Sequence, residues 1–195
     1  MASSRQLWAQ AIRTGKVGQP RAKGNSPVLF SGHRPAFRGR ILGVDPSLRG
    51  TGLAVVDCSP PGPPRLLAST TVRNPARFSQ ADCLRAIADA IEALLTQYRP
   101  TVAAVEESVF VQNQRTALIL GLSRGAVLTT LARANVEIAE YAPLRIKQAV
   151  TGHGRASKEQ VGGLLRQHLG LAEAIPPDES DAAATALCHA FTYRG

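Results

Sequence analysis

Short apolar runs separated by turn residues open the region after residue 40, and this pattern predicts β-strands. Residues 41–45 form an apolar run that stops at Pro46, and residues 52–57 form a second run after a glycine-containing turn. The two runs are therefore predicted to pair as a hairpin. A third strand is predicted over residues 65–72, after a loop rich in Pro and Gly.

Farther along the chain, apolar residues recur at intervals of three and four, which is the period of an amphipathic α-helix. Ser79 is a candidate N-cap for the first of these helices. The second helix is nearly all small or apolar and is predicted to be buried. Two short β runs, 101–106 and 136–141, alternate with the helices. The predicted helices cover residues 79–98, 114–134, 143–150, 157–169 and 178–191.

This order of elements indicates the fold class. A hairpin followed by strands that alternate with helices is typical of an α/β fold, here with a mixed five-stranded sheet flanked by helices. The length of 195 residues suits one domain with a sizeable core. No apolar run approaches the roughly 18–20 residues that cross a bilayer, so an integral membrane protein is excluded.

The positive charge is concentrated at the N-terminus. Residues 1–40 contain eight basic and no acidic residues, whereas residues 41–195 contain 15 basic and 14 acidic ones. We expect residues 1–40 to be a disordered basic extension and residues 41–195 to be the folded domain. The extension fits an arm that binds nucleic acid phosphates, an organelle-targeting leader, or a solvated segment without a specific role.

The cysteines indicate the redox environment. Cys58, Cys83 and Cys188 are odd in number and widely spaced, and none is paired with a histidine at zinc-finger spacing. This pattern excludes a disulfide scaffold and argues against a structural zinc site. A reducing compartment is the natural interpretation.

Four carboxylates occupy unusual places at the ends of predicted elements. Asp45 and Glu106 each end an apolar strand, where a charge is costly unless a positive group meets it. Asp178 and Asp181 lie three residues apart, on one face of an Ala-rich helix. Singly, Asp45 could be a turn residue, Asp178 a helix N-cap and Asp181 a first-turn acid. Together they predict a site for a hard divalent cation, and two such ions permit phosphodiester hydrolysis.

Two lysines complete this candidate site. Lys147 and Lys158 are the only lysines after residue 23, whereas arginine occurs 13 times after residue 40. A lysine near a scissile phosphate can neutralise the charge that grows in the transition state. The alternative is that both are ordinary surface residues.

Four segments resemble the RuvC family of Holliday junction resolvases in order and spacing, over about residues 41–191. The resemblance implies an RNase H-like fold and a homodimer that nicks two opposing strands of a four-way DNA junction. It also implies Mg²⁺, or Mn²⁺ as a substitute, with two ions per subunit. The segments are ILGVDPSLRGTGLAVVD, AVEESVFVQNQRTALILGLSRGA, YAPLRIKQAVTGHGRASKEQV and PPDESDAAATALCHA.

The resemblance assigns roles to individual residues. It implies that Lys147 and Lys158 bind phosphate and support catalysis. In the loop after Glu106, where the family often has an aromatic residue, Phe110 with Arg115 would contact unstacked bases at the crossover. The residues that match the metal-binding and catalytic acids are Asp45, Glu106, Asp178 and Asp181.

The chain also departs from the family pattern. Glu179 and Ser180 lie inside the C-terminal acidic pair, where an additional acid could perturb the site or face solvent. By resemblance, the partners are junction DNA and the branch-migration proteins RuvA and RuvB, in the bacterial cytoplasm near the nucleoid. Organelle import is an alternative, because the N-terminal segment is basic and free of acids.

Three other functions stay open from the sequence. A different RNase H-like nuclease would act on another nucleic acid, and a non-catalytic protein would bind branched DNA without cutting it. An actin-like ATPase is the third, because GVDPSLRGTGLAVVD is also similar to the first phosphate loop of that superfamily. Such ATPases have a second glycine-rich loop, which this sequence lacks.

Overall fold

The computed structural model describes residues 37–59, 61–107 and 112–194. Over these residues the chain forms five strands and five helices, each within two residues of its predicted ends. The strands are β1 (Arg40–Asp45), β2 (Gly50–Asp57), β3 (Arg65–Arg73), β4 (Val102–Glu106) and β5 (Glu137–Tyr141). The helices are α1 (Gln80–Tyr98), α2 (Gln114–Arg133), α3 (Pro143–Thr151), α4 (Lys158–Leu169) and α5 (Pro177–Thr192).

The strands form one mixed sheet in the order β3-β2-β1-β4-β5. The hairpin pairs β1–β2 and β2–β3 are antiparallel, whereas β1–β4 and β4–β5 are parallel. The predicted fold class is therefore confirmed. Because β1, β4 and β5 run in the same direction, their carboxyl ends meet at one edge of the sheet.

Both faces of the sheet are covered, as the alternation of side chains along β1 requires. Ile41 belongs to the core cluster beneath α3, α4 and α5. Leu42 and Val44 point to the opposite face and join the cluster under α1 and α2. Each cluster is continuous with buried residues of its helices, so the sheet is the middle layer of the domain.

Two glycines allow α5 to lie unusually close to the sheet. A Cβ placed on Gly43 of β1 would lie 2.0 Å from the carbonyl oxygen of Ala182, and a Cβ on Gly52 of β2 would lie 1.9 Å from the carbonyl oxygen of Asp178. No side chain fits at either position. The first turns of α5 are therefore held against the carboxyl end of β1.

The helix starts confirm one capping prediction and correct another. The Ser79 side chain accepts a hydrogen bond from the amide of Asp82, as an N-cap of α1 should. The N-cap of α5 is Pro176, so Asp178 lies in the first turn and Asp181 lies one turn later. The interpretation of Asp178 as an N-cap is therefore wrong, because two consecutive prolines set the start of this helix.

The expectation that α2 is buried is wrong for its first half. None of residues 114–122 is buried, and Leu118 and Leu122 are 69% and 39% exposed. Burial begins at Ser123 and continues at Val127 and Leu131, which pack beneath the sheet. Small and apolar residues thus occupy both halves of α2, although the first half is exposed and the second half packs inside the domain.

The first described residue already packs against the folded domain. Phe37 is buried, its ring packs edge-on against His189 at 4.8 Å, and its amide donates to the carbonyl of Ala190. The predicted extension lies outside the described residues up to position 36, so the division into two parts stays a prediction. Cys58, Cys83 and Cys188 are free and buried. None of the helices in the described part is long and apolar enough to cross a membrane.

Candidate active site

A cavity of about 340 Å³ opens at the carboxyl edge of the sheet and collects most of the predicted site residues. Its polar wall is formed by Asp45, Glu106, Asp181, Lys147 and Lys158, which come from five different elements. Its apolar wall is formed by Pro143, Ile146, Val161 and Ala184. Residues separated by up to 139 positions in the sequence thus share one cleft.

The sheet and α5 together determine this convergence. Val44 pairs with Val105 in the parallel ladder, so Asp45 and Glu106 end neighbouring strands side by side. The close contact of α5 with β1 and β2 then brings Asp181 over the same edge. Lys147 and Lys158 enter from α3 and α4, which cover this face.

Asp178 lies beside the cavity rather than in its wall. Its Oδ2 atom is 3.2 Å from the position that a Cβ on Gly50 would occupy, at the start of β2. It is still close enough to Asp45 to act on the pKa of that carboxyl group. The structure therefore brings three of the four predicted acids into the cleft and places the fourth next to them.

Burial is the main cause of raised pKa values at two carboxyl groups of the cleft. Desolvation, followed by the charges of Asp181 and Asp178, raises the pKa of Asp45 to about 6, against the opposing effect of Lys158. Desolvation and the charges of Asp45 and Asp181 raise the pKa of Glu106 to about 7. The two lysines lower the pKa of Glu106 without cancelling this effect. The cleft therefore favours the uptake of positive charge, as a proton or a cation.

Lys158 is the cation that lies closest to an acid in this cleft. Its Nζ donates to Oδ2 of Asp181 at 2.9 Å, and this contact raises the pKa of Lys158. Its side chain is 71% exposed, so it can leave the contact at small cost. Within the described ranges, no three acidic, histidine or cysteine side chains are grouped tightly enough to hold a metal ion as they stand.

The two predicted DNA contacts stay predictions. Arg115 lies on the exposed first turn of α2 and is not part of the cavity wall. Phe110 falls in the segment 108–111, which is outside the described residues. The loop that would carry an aromatic contact thus begins directly after Glu106 and Glu107.

The additional acid in the C-terminal block faces away from the cleft. Glu179 accepts a hydrogen bond from Ser69 Oγ at 2.5 Å and lies 3.5 Å from Thr71 Oγ1, both on β3. Its carboxylate is thus engaged by the outer strand of the sheet. Glu179 fastens the first turn of α5 to β3 and adds no ligand to the cavity.

Sequence reasoning missed three contributors to the site. Gly43 and Gly52 set the approach of α5, and glycine inside a predicted strand was a usable signal for such an approach. Arg124 of α2 donates from Nη1 to the carbonyl of Glu106 at 3.0 Å, and Nη2 binds the Glu140 carboxylate. No local pattern identifies Arg124, because its partners lie on other elements.

Known proteins resemble this chain along nearly the whole described region. The family model described as Crossover junction endodeoxyribonuclease RuvC matches residues 41–189. Proteins of that description from Halorhodospira halophila and Heliobacterium modesticaldum are 45% and 44% identical over 151 and 160 residues. The matches cover 77% and 78% of this chain, and 89% and 96% of the relatives.

A solved structure agrees with these matches. The structure of Thermus thermophilus RuvC in complex with Holliday junction substrate superposes with a TM-score of 0.75 at 35% identity. The superposition covers 79% of this chain and 94% of that one. All five polar residues of the cavity wall lie inside the segment that matches the family model.

Proposed function

The chain belongs to the RuvC family of crossover junction endodeoxyribonucleases, and on this premise we propose that it resolves four-way (Holliday) DNA junctions. It nicks two opposing strands at symmetric positions during recombination and repair. The observation that carries this proposal is the cleft in which Asp45, Glu106 and Asp181 meet Lys147 and Lys158. Carboxylates and lysines in one cleft are suited to phosphodiester hydrolysis.

Nucleases of this family depend on a metal ion, and the donor set of the cleft fits a hard divalent cation. Half-buried carboxyl groups whose pKa is raised by desolvation and by one another are stabilised when a cation replaces their protons. We propose Mg²⁺, with Mn²⁺ as a substitute, and two ions per subunit. The proposed ligands are Asp45, Glu106, Asp181 and, from its place beside the cleft, Asp178.

When bound, such ions supply polarisation of the attacking water and neutralisation of the leaving oxygen. Asp45 and Glu106 hold fixed positions at the ends of paired strands, so their carboxylates need little reorganisation to act together. Glu106, with a pKa of about 7, gives up its proton when it becomes a ligand. We therefore expect metal affinity to increase with pH.

The two lysines bind the substrate rather than the ion. Lys158 leaves Asp181 and binds a phosphate oxygen of the scissile strand. It can do so because its side chain is exposed and because a cation bound in the cleft competes for the Asp181 carboxylate. Lys147 reaches the same cleft from α3 and neutralises a second oxygen. Both charges then oppose the negative charge that grows in the transition state.

The proposed contacts with the unpaired region of the junction come from the segment between β4 and α2 and from the first turn of α2. We propose that Arg115 and Phe110 touch bases at the crossover, as the family resemblance implies. Stacking of a base on an aromatic ring contributes ~1–3 kcal/mol. This segment follows Glu106 directly, so base contacts and the cleft lie close together along the chain.

The exposed half of α2 is the proposed dimer contact. A shallow apolar groove along this surface is lined by Gln114, Ala117, Leu118, Gly121 and Leu122. A second copy related by a two-fold axis would cover it with the same residues. Two clefts related by that axis would face two strands of a symmetric junction, which explains paired nicks.

The cellular setting follows from the family. The curated relatives named above come from bacteria, so we propose that the protein acts in the bacterial cytoplasm near the nucleoid. RuvA and RuvB are its proposed partners, because branch migration must present the junction that this nuclease cuts. These partners are proposed on the resemblance alone.

The decisive experiment compares a synthetic four-way junction with a linear duplex of the same sequence. We expect paired nicks in the junction with Mg²⁺ or Mn²⁺, no nicks with a chelator, and little cutting of the duplex. Calorimetry with Mn²⁺ counts the ions bound per subunit. Junction binding without nicks in any divalent metal would favour a non-catalytic branched-DNA-binding protein instead.

A further inference from the structure

One arginine joins three elements at the rim of the acidic cleft. Arg124 projects from α2, donates from Nη1 to the backbone carbonyl of Glu106 at 3.0 Å, and pairs through Nη2 with the carboxylate of Glu140 on β5. The Arg124 side chain is 19% exposed and that of Glu140 is 39% exposed, so the guanidinium is largely shielded while its carboxylate partner reaches solvent. The planar guanidinium fixes both partners at one angle, which an ammonium group cannot do.

The carbonyl that Arg124 holds belongs to the peptide that follows Glu106. The amide of the same peptide, on Glu107, donates to the carbonyl of Tyr141 at 2.9 Å. Both polar groups of this peptide are thus engaged, one by α2 and one by the end of β5. Without Arg124 the peptide keeps only its contact with Tyr141, so its plane is held less firmly next to the Cα that carries the Glu106 side chain.

Arg124 also lies at the point where α2 changes its surroundings. The preceding residues 114–122 are exposed or half-buried, and burial begins at Ser123. Arg124 therefore lies next to the boundary between the exposed and the buried parts of α2. The exposed half carries the apolar groove and Arg115.

We propose that Arg124 is a positioning residue that sets the backbone at Glu106 and links the exposed half of α2 to the acidic cleft. This inference rests on the proposed nuclease function of the cleft. Arg124 touches neither substrate nor metal in this scheme; it acts through the peptide of Glu106.

The test measures metal binding and junction binding separately, in the full-length chain. Arg124→Gln is expected to weaken Mn²⁺ binding, measured by calorimetry without DNA, by ~10-fold, as loss of a group that orients a ligand does. The Mg²⁺ concentration for half-maximal cleavage is expected to rise by a similar factor. The dissociation constant for junction DNA in Ca²⁺ is expected to stay within about 2-fold, since no phosphate contact is removed.

Two further variants test whether the effect of Arg124→Gln comes from misfolding or from the loss of any positive charge on the helix. Arg124→Lys keeps the charge and can donate to one of the two partners, so it is expected to recover part of the metal affinity. Arg133→Gln removes an exposed arginine from the last turn of the same helix and is expected to bind metal as wild type does. Circular dichroism confirms that each variant is folded.

The outcomes separate this inference from the proposed function. Unchanged Mn²⁺ affinity in Arg124→Gln, or an equal loss in Arg133→Gln, overturns the positioning role even if the wild type cleaves junctions. A wild type that never cleaves overturns the nuclease function. The Mn²⁺ titration of the protein alone still decides the role of Arg124 in that case.

Discussion

The carbonyl oxygen of Asp178 occupies the space that a side chain at Gly52 would need: a Cβ there would lie 1.9 Å from this oxygen. Gly52 is also the residue paired with Asp45 in the β1–β2 ladder. This contact, together with that of Gly43 and Ala182, therefore sets the separation between the acid that ends β1 and the acids that begin α5. The cleft depends on a residue that has no side chain.

Replacing this glycine should open the cleft. Gly52→Ala forces α5 away from β2, and we expect a loss of about 1–3 kcal/mol in the free energy of unfolding, typical of overpacking. Cleavage should fall by more than the loss of folded protein explains, because Asp181 moves with the helix. Urea unfolding and junction cleavage, measured on the same preparation, check this.

A glycine in open space provides the control for this substitution. A Cβ on Gly163 of α4 would meet nothing within 4 Å. Gly163→Ala should therefore raise the free energy of unfolding by about 0.5–1 kcal/mol, as expected for alanine in a helix interior. If Gly52→Ala were as stable and as active as Gly163→Ala, the close approach would not matter.

The elements of this fold were predictable because each has a strong local pattern. Apolar runs that end at Asp45 and Glu106 predict strands, and the parallel pairing of such strands brings their ends together. The capping role of Ser79 was also predictable, because its partner, the amide of Asp82, lies only three residues away. Where the cause of a structure is local, the sequence was sufficient.

The features that sequence reasoning missed have causes far away in the chain. The contact of Lys158 with Asp181 joins α4 to α5, and that of Arg124 with Glu106 joins α2 to β4. Composition alone also placed all of α2 in the core, although Leu118 is exposed. An apolar residue faces either its own domain or a partner, and periodicity does not distinguish the two.

Loss of a single proposed ligand should separate binding from cleavage. Asp45→Asn keeps the size of the side chain but removes the charge that a divalent ion requires, so we expect cleavage to fall by roughly 100-fold or more. Junction binding should persist, since Asp45 contributes no positive charge to the DNA. Gel-based cleavage and fluorescence anisotropy on one four-way junction measure the two quantities.

Asp89 on the exposed face of α1 supplies the matched substitution. Asp89→Asn changes the net charge by the same amount at a distance from the cavity wall and should cleave as wild type does. Full cleavage by Asp45→Asn would refute the assignment of this residue to the metal site.

The oligomeric state should depend on the exposed half of α2. Leu118→Glu puts a charge in the apolar groove, where burial against a second copy would remove its water, so the dimer should weaken by about 10-fold or more. Leu144→Glu alters a leucine of similar exposure, 66%, on α3 and should leave the dimer intact. Sedimentation velocity over a concentration series distinguishes the two, and an unchanged dimer in Leu118→Glu would place the interface elsewhere.

The contribution of Asp45 and Glu106 to the stability of the metal-free protein should fall as the pH rises from about 4 to about 7. In this range the folded protein keeps protons on Asp45 and Glu106, whose pKa values are about 6 and about 7, while the unfolded chain has lost them. Because the folded state binds more protons at these two groups, their contribution to the free energy of unfolding decreases with pH. The penalty is absent below pH 4 and complete near pH 8.

Asp45→Asn removes one of these buried charges, so the variant should be more stable than wild type at pH 8, by about 1–3 kcal/mol, and equal to it near pH 4. Urea unfolding in a chelator at pH 4, 6 and 8 measures the difference. Mg²⁺ at pH 8 should then stabilise the wild type more than the variant, because only the folded wild type retains the full ligand set. If the difference in free energy of unfolding between variant and wild type is the same at all three pH values, the folded protein does not raise the pKa of Asp45.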